Sequence, residues 1–430
     1  MDLNERMAEL DARIAARKAE LDRRVGGGAM IAQEPVPAEP TRGAKAAPAV
    51  VPADEKAFSP AQAVATAAGV QWPLGFSLRK LFREVFRRHS DEEMEDYFSG
   101  GYPATTPPPS AVDGSWPAPW VFSRLFLFSV LVYVGFDFGV YHFRNPLLIP
   151  GLIVVGSFAV PLSTLVFFLE ANVWRDVSLY QIIRLVFLGG VLSLLMSLFL
   201  FATPASGLLE ASVGASCAGV VEEVGKLVAL VCMVPGRRFG RKLNGLLLGA
   251  AVGAGFAAFE SAGYAFMLLH GPGGILSCRA NLILRGLLAP FGHVAWTAIA
   301  GAALWRVKGD SPPRPWMFAN GRFLRLFAVP VLLHMLWNAS LPVPFLVKYP
   351  LLGAVAWIVV FALVQEGLDE ARAARGPGRA PARASFPEPS RSGGAFRALF
   401  WFVVATFFTG FLLSAGAFFF TRVVAPRLGL

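Results

Sequence analysis

From residue 121 onward the chain is dominated by apolar runs that are long enough to cross a lipid bilayer and are separated by short loops. The hydrocarbon core offers no water to backbone N–H and C=O groups, so such runs predict membrane-spanning helices. The composition agrees, because 55% of the residues are hydrophobic and 16% are charged. The predicted fold class is therefore all-α, a polytopic transmembrane helical bundle of about nine spans. The spans are 121–141, 147–169, 182–204, 211–234, 243–268, 283–305, 323–342, 346–365 and 396–421.

The first 120 residues are predicted to form a mostly flexible or helical region on the cytoplasmic side. Residues 1–28 carry a short heptad stripe, which predicts either a weakly self-associating helix or a solvated single helix. Residues 29–70 are rich in Ala, Pro and Val, a composition typical of a flexible or partly extended linker. Residues 76–89 predict a basic amphipathic helix. It would lie on an anionic leaflet or pack within a small soluble helical domain.

Three further segments complete the predicted domain organisation. Residues 121–365 are predicted to form the membrane-embedded core, although prolines interrupt the spans 323–342 and 346–365. Residues 366–395 are rich in Gly, Pro, Arg, Ala and Ser, which predicts a disordered cytoplasmic loop. Residues 396–430 are predicted to carry an additional C-terminal transmembrane helix.

Basic residues are concentrated in alternate loops, among them 235–242, 305–325 and 366–397. Under the positive-inside rule this pattern predicts a cytoplasmic N-terminus and an extracytoplasmic C-terminus. The formal net charge of +10 therefore needs no nucleic-acid partner. The first apolar span begins near residue 121, so no cleavable signal peptide is expected. These features predict a multi-pass protein of a bacterial inner membrane.

The run from 211 to 234 carries three ionisable side chains near its middle, Glu222, Glu223 and Lys226. Each such group costs roughly 2.5–3.5 kcal/mol at the centre of a bilayer. One interpretation is structural, because Glu222 and Lys226 at i,i+4 spacing can neutralise each other. Glu223 points about 100° away on the helix and needs another partner, which favours a functional cluster.

The next three spans contain further polar side chains. Each belongs to a pair of residues that are four positions apart and therefore share a helix face: Phe256 and Glu260, His293 and Thr297, and His334 and Asn338. At 1.5 Å per residue, four groups lie roughly 10–16 Å below the predicted outer ends of their spans. These four are Glu222, Glu260, His293 and His334. They are predicted to converge in the outer half of the bilayer, whereas Asp137 and Glu170 lie near span ends and are predicted to be solvated.

Carboxylates and imidazoles in one polar cavity are suited to activating water. A glutamate can serve as the general base, and His or Asn can donate to a developing oxyanion. The set Glu222, Glu260, His293 and His334 could equally hold a divalent metal such as Zn²⁺, which lowers the pKa of a bound water. The chain has no HExxH motif, and its three cysteines show no metal-binding spacing. The residue spacing leaves both chemistries open.

Taken together, these motifs resemble those of PrsW-type intramembrane proteases, in the superfamily of the CAAX prenyl endopeptidases and bacterial Abi proteins. The resemblance covers roughly residues 120–365. It rests on Glu222-Glu-x-x-Lys226, Phe256-x-x-x-Glu260, His293-x-x-x-Thr297 and His334-x-x-x-Asn338. It implies peptide-bond hydrolysis, in the PrsW case of single-span anti-sigma factors near the extracytoplasmic face. The implied partners are a single-span membrane protein substrate and the lipid bilayer.

On this resemblance, most of the polar residues have an expected role. Glu222 is the expected general base, supported by Glu223, and Lys226 pairs with or tunes a glutamate. Glu260 and His293 complete the polar cavity or bind the metal. The oxyanion is expected to be stabilised by His334 and Asn338, and Phe256 and Thr297 are supporting residues.

Two other functions fit the same ionisable residues. A transporter could use them as a proton relay, and it would show repeated architecture or broken helices in corresponding positions. A membrane scaffold could have retained the fold without catalysis. Replacing Glu222 by Gln separates the protease from both, because only the protease would lose a cleavage activity.

Overall fold

The computed structural model describes residues 59–375, except Leu74, Pro235, Arg237 and Arg238. Within these residues every regular element is helical and no strand occurs. The all-α prediction is therefore confirmed for the described part of the chain. The predicted heptad helix at 1–28 and the predicted span at 396–421 lie outside the described residues.

The helices are numbered here in chain order. They are α1 Pro60–Ala68, α2 Leu78–Leu81, α3 Asp91–Phe98, α4 Val121–Tyr141, α5 Ile149–Ala171, α6 Leu179–Phe201, α7 Pro204–Val213, α8 Cys217–Met233, α9 Lys242–Leu269, α10 Gly274–Leu288, α11 His293–Lys308, α12 Pro315–Phe318, α13 Gly321–Asn338 and α14 Phe345–Ala374. A π-helical stretch, Leu185–Gly189, lies inside α6.

Six stretches of the described chain are long and apolar enough to cross a membrane. They are α4, α5 with the turn before it, α6, α9, α10 together with α11, and α14. The prediction of nine spans is not confirmed. The short helix α8 contains 17 residues, including Glu222, Glu223 and Lys226, and neither α8 nor α13 is among the six. The chain is nevertheless a multi-pass membrane protein of several apolar helices.

Helix boundaries differ from the prediction mainly where loops were expected. Residues 269–282 were predicted to be a loop, but α10 begins at Gly274. The interval between the predicted spans 182–204 and 211–234 is also helical, since it lies within α7. Helix α14 continues to Ala374, into the predicted loop 366–395. Residues 366–374 contain Glu, Leu, Ala and Arg, which favour helix even after the apolar run has ended.

The centre of the bundle is α9, whose small residues allow α11 to approach closely. The two helices share the most extensive contact in the structure. A Cβ on Gly249 would collide with the backbone oxygen of Thr297, and a Cβ on Gly253 would collide with that of His293. Small residues commonly permit such close approach between membrane helices. The close approach brings His293 directly against α9.

Arginines at one end of the membrane helices bind the backbone of residues 59–120. Arg325 donates to the carbonyl of Ala67 at 3.1 Å, and Arg306 donates to that of Gly69 at 3.0 Å. Arg372 makes a similar bond to Gly114. These charge-assisted bonds join the described N-terminal segment to the bundle.

The described N-terminal segment is more helical at its start than the linker interpretation implies. Helix α1 occupies Pro60–Ala68 and is capped by the Ser59 side chain, which accepts from the Gln62 N–H. The helix expected over 76–89 is present only as Leu78–Leu81, followed by turns. Leu81 is buried nonetheless, so this apolar face packs against the bundle.

The prediction that Glu170 is solvated is wrong. Its side chain is buried, and its carboxylate accepts hydrogen bonds from the N–H groups of Trp120, Val121 and Phe122 at 2.7–2.9 Å. These groups lie at the start of α4, where no intrahelical acceptor is available. Asp137 was also predicted to be solvated, but it forms an ion pair with Arg279 at 2.8 Å.

Replacing Glu170 by Gln should destabilise the protein by about 1–3 kcal/mol, because an NH2 donor would replace one of the two accepting oxygens and face a buried N–H of α4. Thermal unfolding in detergent micelles measures this effect. The control is Glu210→Gln, which changes an exposed glutamate in α7 and should leave the unfolding temperature unchanged. An equal unfolding temperature for both variants would contradict the capping role.

Candidate active site

Helix α8 contributes the buried charged centre of the site. Lys226 and Glu223 are both fully buried, and Lys226 Nζ donates to Glu223 Oε1 at 2.6 Å. The nearer partner of Lys226 is thus Glu223, at i,i+3, whereas Glu222 Oε2 is 3.7 Å away. The ring of Phe256, on α9, lies 4.1 Å from the same ammonium. A buried carboxylate, a buried ammonium and an aromatic face therefore compensate one another.

Glu223 also has a second partner, as its direction on the helix predicted. His334, on α13, lies with Nδ1 2.9 Å from Glu223 Oε1. Because a carboxylate only accepts, His334 Nδ1 carries the proton and Nε2 keeps a lone pair. His334 Nε2 lies 3.8 Å from Glu222 Oε2, and the ring stacks on Trp296. The carboxylate therefore fixes the tautomer and the direction of this imidazole.

His293 is held in the same manner by Glu260. Its Nε2 lies 3.1 Å from Glu260 Oε2, and its Nδ1 lies 2.8 Å from Lys226 Nζ. The carboxylate accepts from Nε2–H, so Nδ1 accepts from the ammonium. His293 therefore joins the pair on α8 to the carboxylate on α9.

Arg285, on α10, was not assigned a role from the sequence. Its Nη2 donates to Glu260 Oε2, and its Nε donates to Ser261 Oγ at 2.8 Å. The guanidinium also lies over the ring of Tyr264. A positive residue at the predicted start of a span resembles an ordinary interfacial residue, so its position gave no signal. In the structure it balances the charge of Glu260.

A break in the helix orients His293. The predicted span 283–305 is divided: α10 ends at Leu288, a short 3₁₀ turn follows, and α11 begins at His293 after Gly292. Pro290 has no N–H to continue the helix, and its carbonyl accepts from Trp357 Nε1 at 3.0 Å. His293 consequently starts a new helix inside the bundle rather than lying within a straight one.

Two of the predicted residues lie outside this network. Thr297 is buried against Gly253, and its hydroxyl has no hydrogen-bond partner in the described structure. Asn338 is the last residue of α13, and its side chain makes no hydrogen bond within the described residues. The network thus joins Glu222, Glu223, Lys226, Glu260, His293 and His334, and adds Arg285.

The side chains of the network differ in burial. The buried ones are called the floor of the site here, and the partly exposed ones are called its rim. Glu223 and Lys226 are completely buried, and the His334 side chain is 4% exposed. The side chains of Glu222, Glu260 and Arg285 are 13%, 17% and 26% exposed. Groups at the rim can therefore meet a ligand, whereas those of the floor hold them in place.

The donor set fits a divalent metal. Glu222, His293 and His334 each offer one ligand atom, and these atoms lie within 4.8 Å of one another. Glu222 Oε2 is buried and has no hydrogen-bond partner. Two histidines and one glutamate are a known ligand set of catalytic zinc. The fourth candidate, Glu260, is not in this group and instead binds His293 and Arg285.

Each imidazole donates one ring N–H to a carboxylate, so its other ring nitrogen keeps a lone pair that can bind a metal. That arrangement typically orients histidine ligands of metals. Lys226 donates to His293 Nδ1, so the ammonium and a metal would compete for the same lone pair. The Lys226 ammonium thus places a positive charge beside the atoms that could bind the metal.

Replacing Lys226 by Met should destabilise the protein by roughly 3–5 kcal/mol, because Glu223 would be left as an unpaired buried charge. Adding Glu223→Gln to that variant should restore about 0.5–3 kcal/mol, since the buried charge is removed as well. Thermal or denaturant unfolding in micelles gives both values.

The matched control is Lys242→Met, which removes a half-exposed lysine whose nearest carboxylate is 3.9 Å away. It should change the stability by less than about 1 kcal/mol. Additive losses from Glu223→Gln and Lys226→Met would contradict the direct coupling of the two side chains.

The comparisons with known proteins agree with this geometry. No curated protein and no solved structure matches the chain. The family model of the PrsW family intramembrane metalloproteases matches residues 178–364, a segment that contains every residue of the network. The resemblance predicted from the motifs is therefore confirmed: residues 178–364 are similar to the PrsW family of intramembrane metalloproteases.

Proposed function

We propose that this protein is an intramembrane endopeptidase that hydrolyses peptide bonds of membrane-anchored proteins with activated water. The family match supports a protease. The observation that carries the mechanism is Glu222, whose Oε2 has no hydrogen-bond partner at the rim of a buried carboxylate–imidazole network. Such an oxygen is available to accept a proton from water.

The two adjacent glutamates have different roles. Glu223 is fully buried, and Oε1 accepts from both Lys226 and His334. It therefore acts as an anchor that holds the floor of the site. Glu222 is the general base, because it lies at the rim and keeps an oxygen free for the attacking water.

The remaining charges support this base. Lys226 balances Glu223 and lies 3.7 Å from Glu222, so its positive charge favours the ionised form of the Glu222 carboxylate. His334 Nε2 faces Glu222 and can hold the transferred proton. Asn338 lies one turn beyond His334, and its amide is available to donate to the oxyanion.

A divalent metal would be held by Glu222, His293 and His334, and when bound it would lower the pKa of a coordinated water. Glu223 would then keep His334 in position through Nδ1. Arg285 would hold Glu260 against His293. The same residues therefore serve glutamate-type and metal-dependent hydrolysis, and the two are distinguished by a chelator.

The proposed substrates are single-span proteins of the anti-sigma-factor kind, cleaved near the extracytoplasmic face of a bacterial inner membrane. Glu222 lies five residues from the start of α8, Glu260 nine from the end of α9, and His334 four from the end of α13. These intervals correspond to roughly 6–14 Å of helix. The basic loops at the opposite helix ends support the orientation.

A proton relay is the second candidate. It is favoured by the break between α10 and α11 and by the continuous contacts from Glu223 through Lys226 and His293 to Glu260. Broken helices that carry ionisable groups also occur in transporters. A transporter would respond to the same substitutions through proton or solute movement rather than cleavage.

The test is cleavage of a panel of single-span membrane proteins by the protein reconstituted in liposomes. Glu222→Gln should reduce the rate by about 10²–10⁴-fold, because the amide cannot take a proton from water. The protein should keep its unfolding temperature. His334→Ala should also abolish cleavage, whereas Glu210→Gln, at an exposed site on α7, should cleave at the wild-type rate.

A chelator arm separates the two chemistries. Loss of cleavage on chelation, with recovery on addition of Zn²⁺, indicates the metal-dependent form, and unchanged cleavage indicates the glutamate form. Full cleavage by Glu222→Gln would refute the assignment of the base. Proton flux without cleavage of any substrate would favour the relay.

A further inference from the structure

An apolar groove is lined by residues of α4, α5 and α14, and none of its lining residues belongs to the charged network of the active site. Its volume is about 480 Å³. Its lining includes Phe122 and Phe126 of α4 and Trp357 of α14. Pro290 and Phe291, in the turn between α10 and α11, also line it.

The shape of the groove favours a single hydrocarbon chain. Its lining along α14 extends from Pro350 to Phe361, which corresponds to roughly 16 Å at 1.5 Å per residue. The space within the groove is about 480 Å³ over this length, which suits a slender hydrocarbon chain better than a helix of about 10 Å diameter.

The walls offer no polar atoms to a peptide. The only hydroxyls that line the groove belong to Ser163 and Thr164 within the described residues. Each donates to a backbone carbonyl of its own helix, at 2.7 and 2.9 Å. The N–H and C=O groups of an extended peptide would therefore find no hydrogen-bond partner in the groove, whereas a hydrocarbon chain needs none.

The end of the groove at Leu78 and Phe82 has a positive rim. Leu78 lines the groove and is 54% exposed, and it is followed directly by Arg79 and Lys80. Both basic side chains are exposed, and neither forms an ion pair within the described residues. Basic groups beside a hydrocarbon groove complement a lipid whose headgroup is anionic.

We propose that this groove binds one anionic phospholipid, with an acyl chain between α4 and α14 and the headgroup phosphate beside Arg79 and Lys80. The acyl chain also packs against Pro290 and Phe291, which lie just before Gly292 and the start of α11. The lipid thereby supports the turn that orients His293. The binding itself does not depend on the proposed protease function.

The experiment is native mass spectrometry of the full chain after reconstitution in phosphatidylglycerol or phosphatidylcholine vesicles and extraction in mild detergent. The wild-type protein should retain one phosphatidylglycerol. Ala354→Trp fills the groove and should lower the retained lipid by about tenfold, a change that 1.4 kcal/mol produces. Leu351→Trp is the matched control, because Leu351 is an exposed residue of α14 outside the groove lining.

The headgroup contact is tested separately. Arg79→Gln with Lys80→Gln should reduce the preference for phosphatidylglycerol by about fivefold for each charge removed. Ala354→Phe provides a smaller obstruction if the Trp variant does not fold. Glu222→Gln should retain lipid like the wild type, so a failure of the protease assignment leaves this result unaffected.

Equal lipid retention in Ala354→Trp and Leu351→Trp would overturn the proposal. So would equal retention of phosphatidylglycerol and phosphatidylcholine by the wild-type protein. Crosslinking of a substrate helix, rather than lipid, to residues of the groove would assign it to the substrate.

Discussion

The structure depends on how a buried ammonium is neutralised inside an apolar bundle. Lys226 is fully enclosed and satisfied by Glu223, His293 and the face of Phe256. Glu223 lies on the same helix as Lys226, whereas His293 and Phe256 come from α11 and α9, so the full set of contacts forms only where α8, α9 and α11 meet. The glycines of α9 permit that approach, because a larger side chain at Gly253 would collide with the backbone of His293. The fold and the site therefore share one constraint.

Much of the site could be predicted from the sequence, because ionisable groups in apolar runs are costly and their number is small. That reasoning identified Glu222, Glu223, Glu260, His293 and His334, which the structure brings into one network. The all-helical fold followed for a similar reason, since only helices satisfy the backbone of such long apolar runs. Their catalytic roles stay predictions that the proposed experiments test.

The rest could not be predicted because it depends on tertiary contacts between distant residues. Arg285 has the sequence context of an interfacial residue, yet it folds back onto Glu260, 25 residues earlier. Glu170 lies at a helix end, but it caps the start of α4 about 50 residues before it. The break before His293 also moved a boundary that hydropathy alone put elsewhere. Asn338 lies one turn beyond His334 without a side-chain hydrogen bond within the described residues, so its role towards the oxyanion stays a prediction.

The most direct test of hydrolysis inside the membrane is the position of the cleaved bond. A single-span substrate is reconstituted with the protein, and its products are sequenced by mass spectrometry. Cleavage is expected in the outer half of the substrate's span, roughly 6–14 Å from its end. The site residues lie at the same distance from the ends of their own helices. The cleaved bond should remain in the span when the flanking loops are lengthened. Cleavage confined to the aqueous flanks would contradict the account.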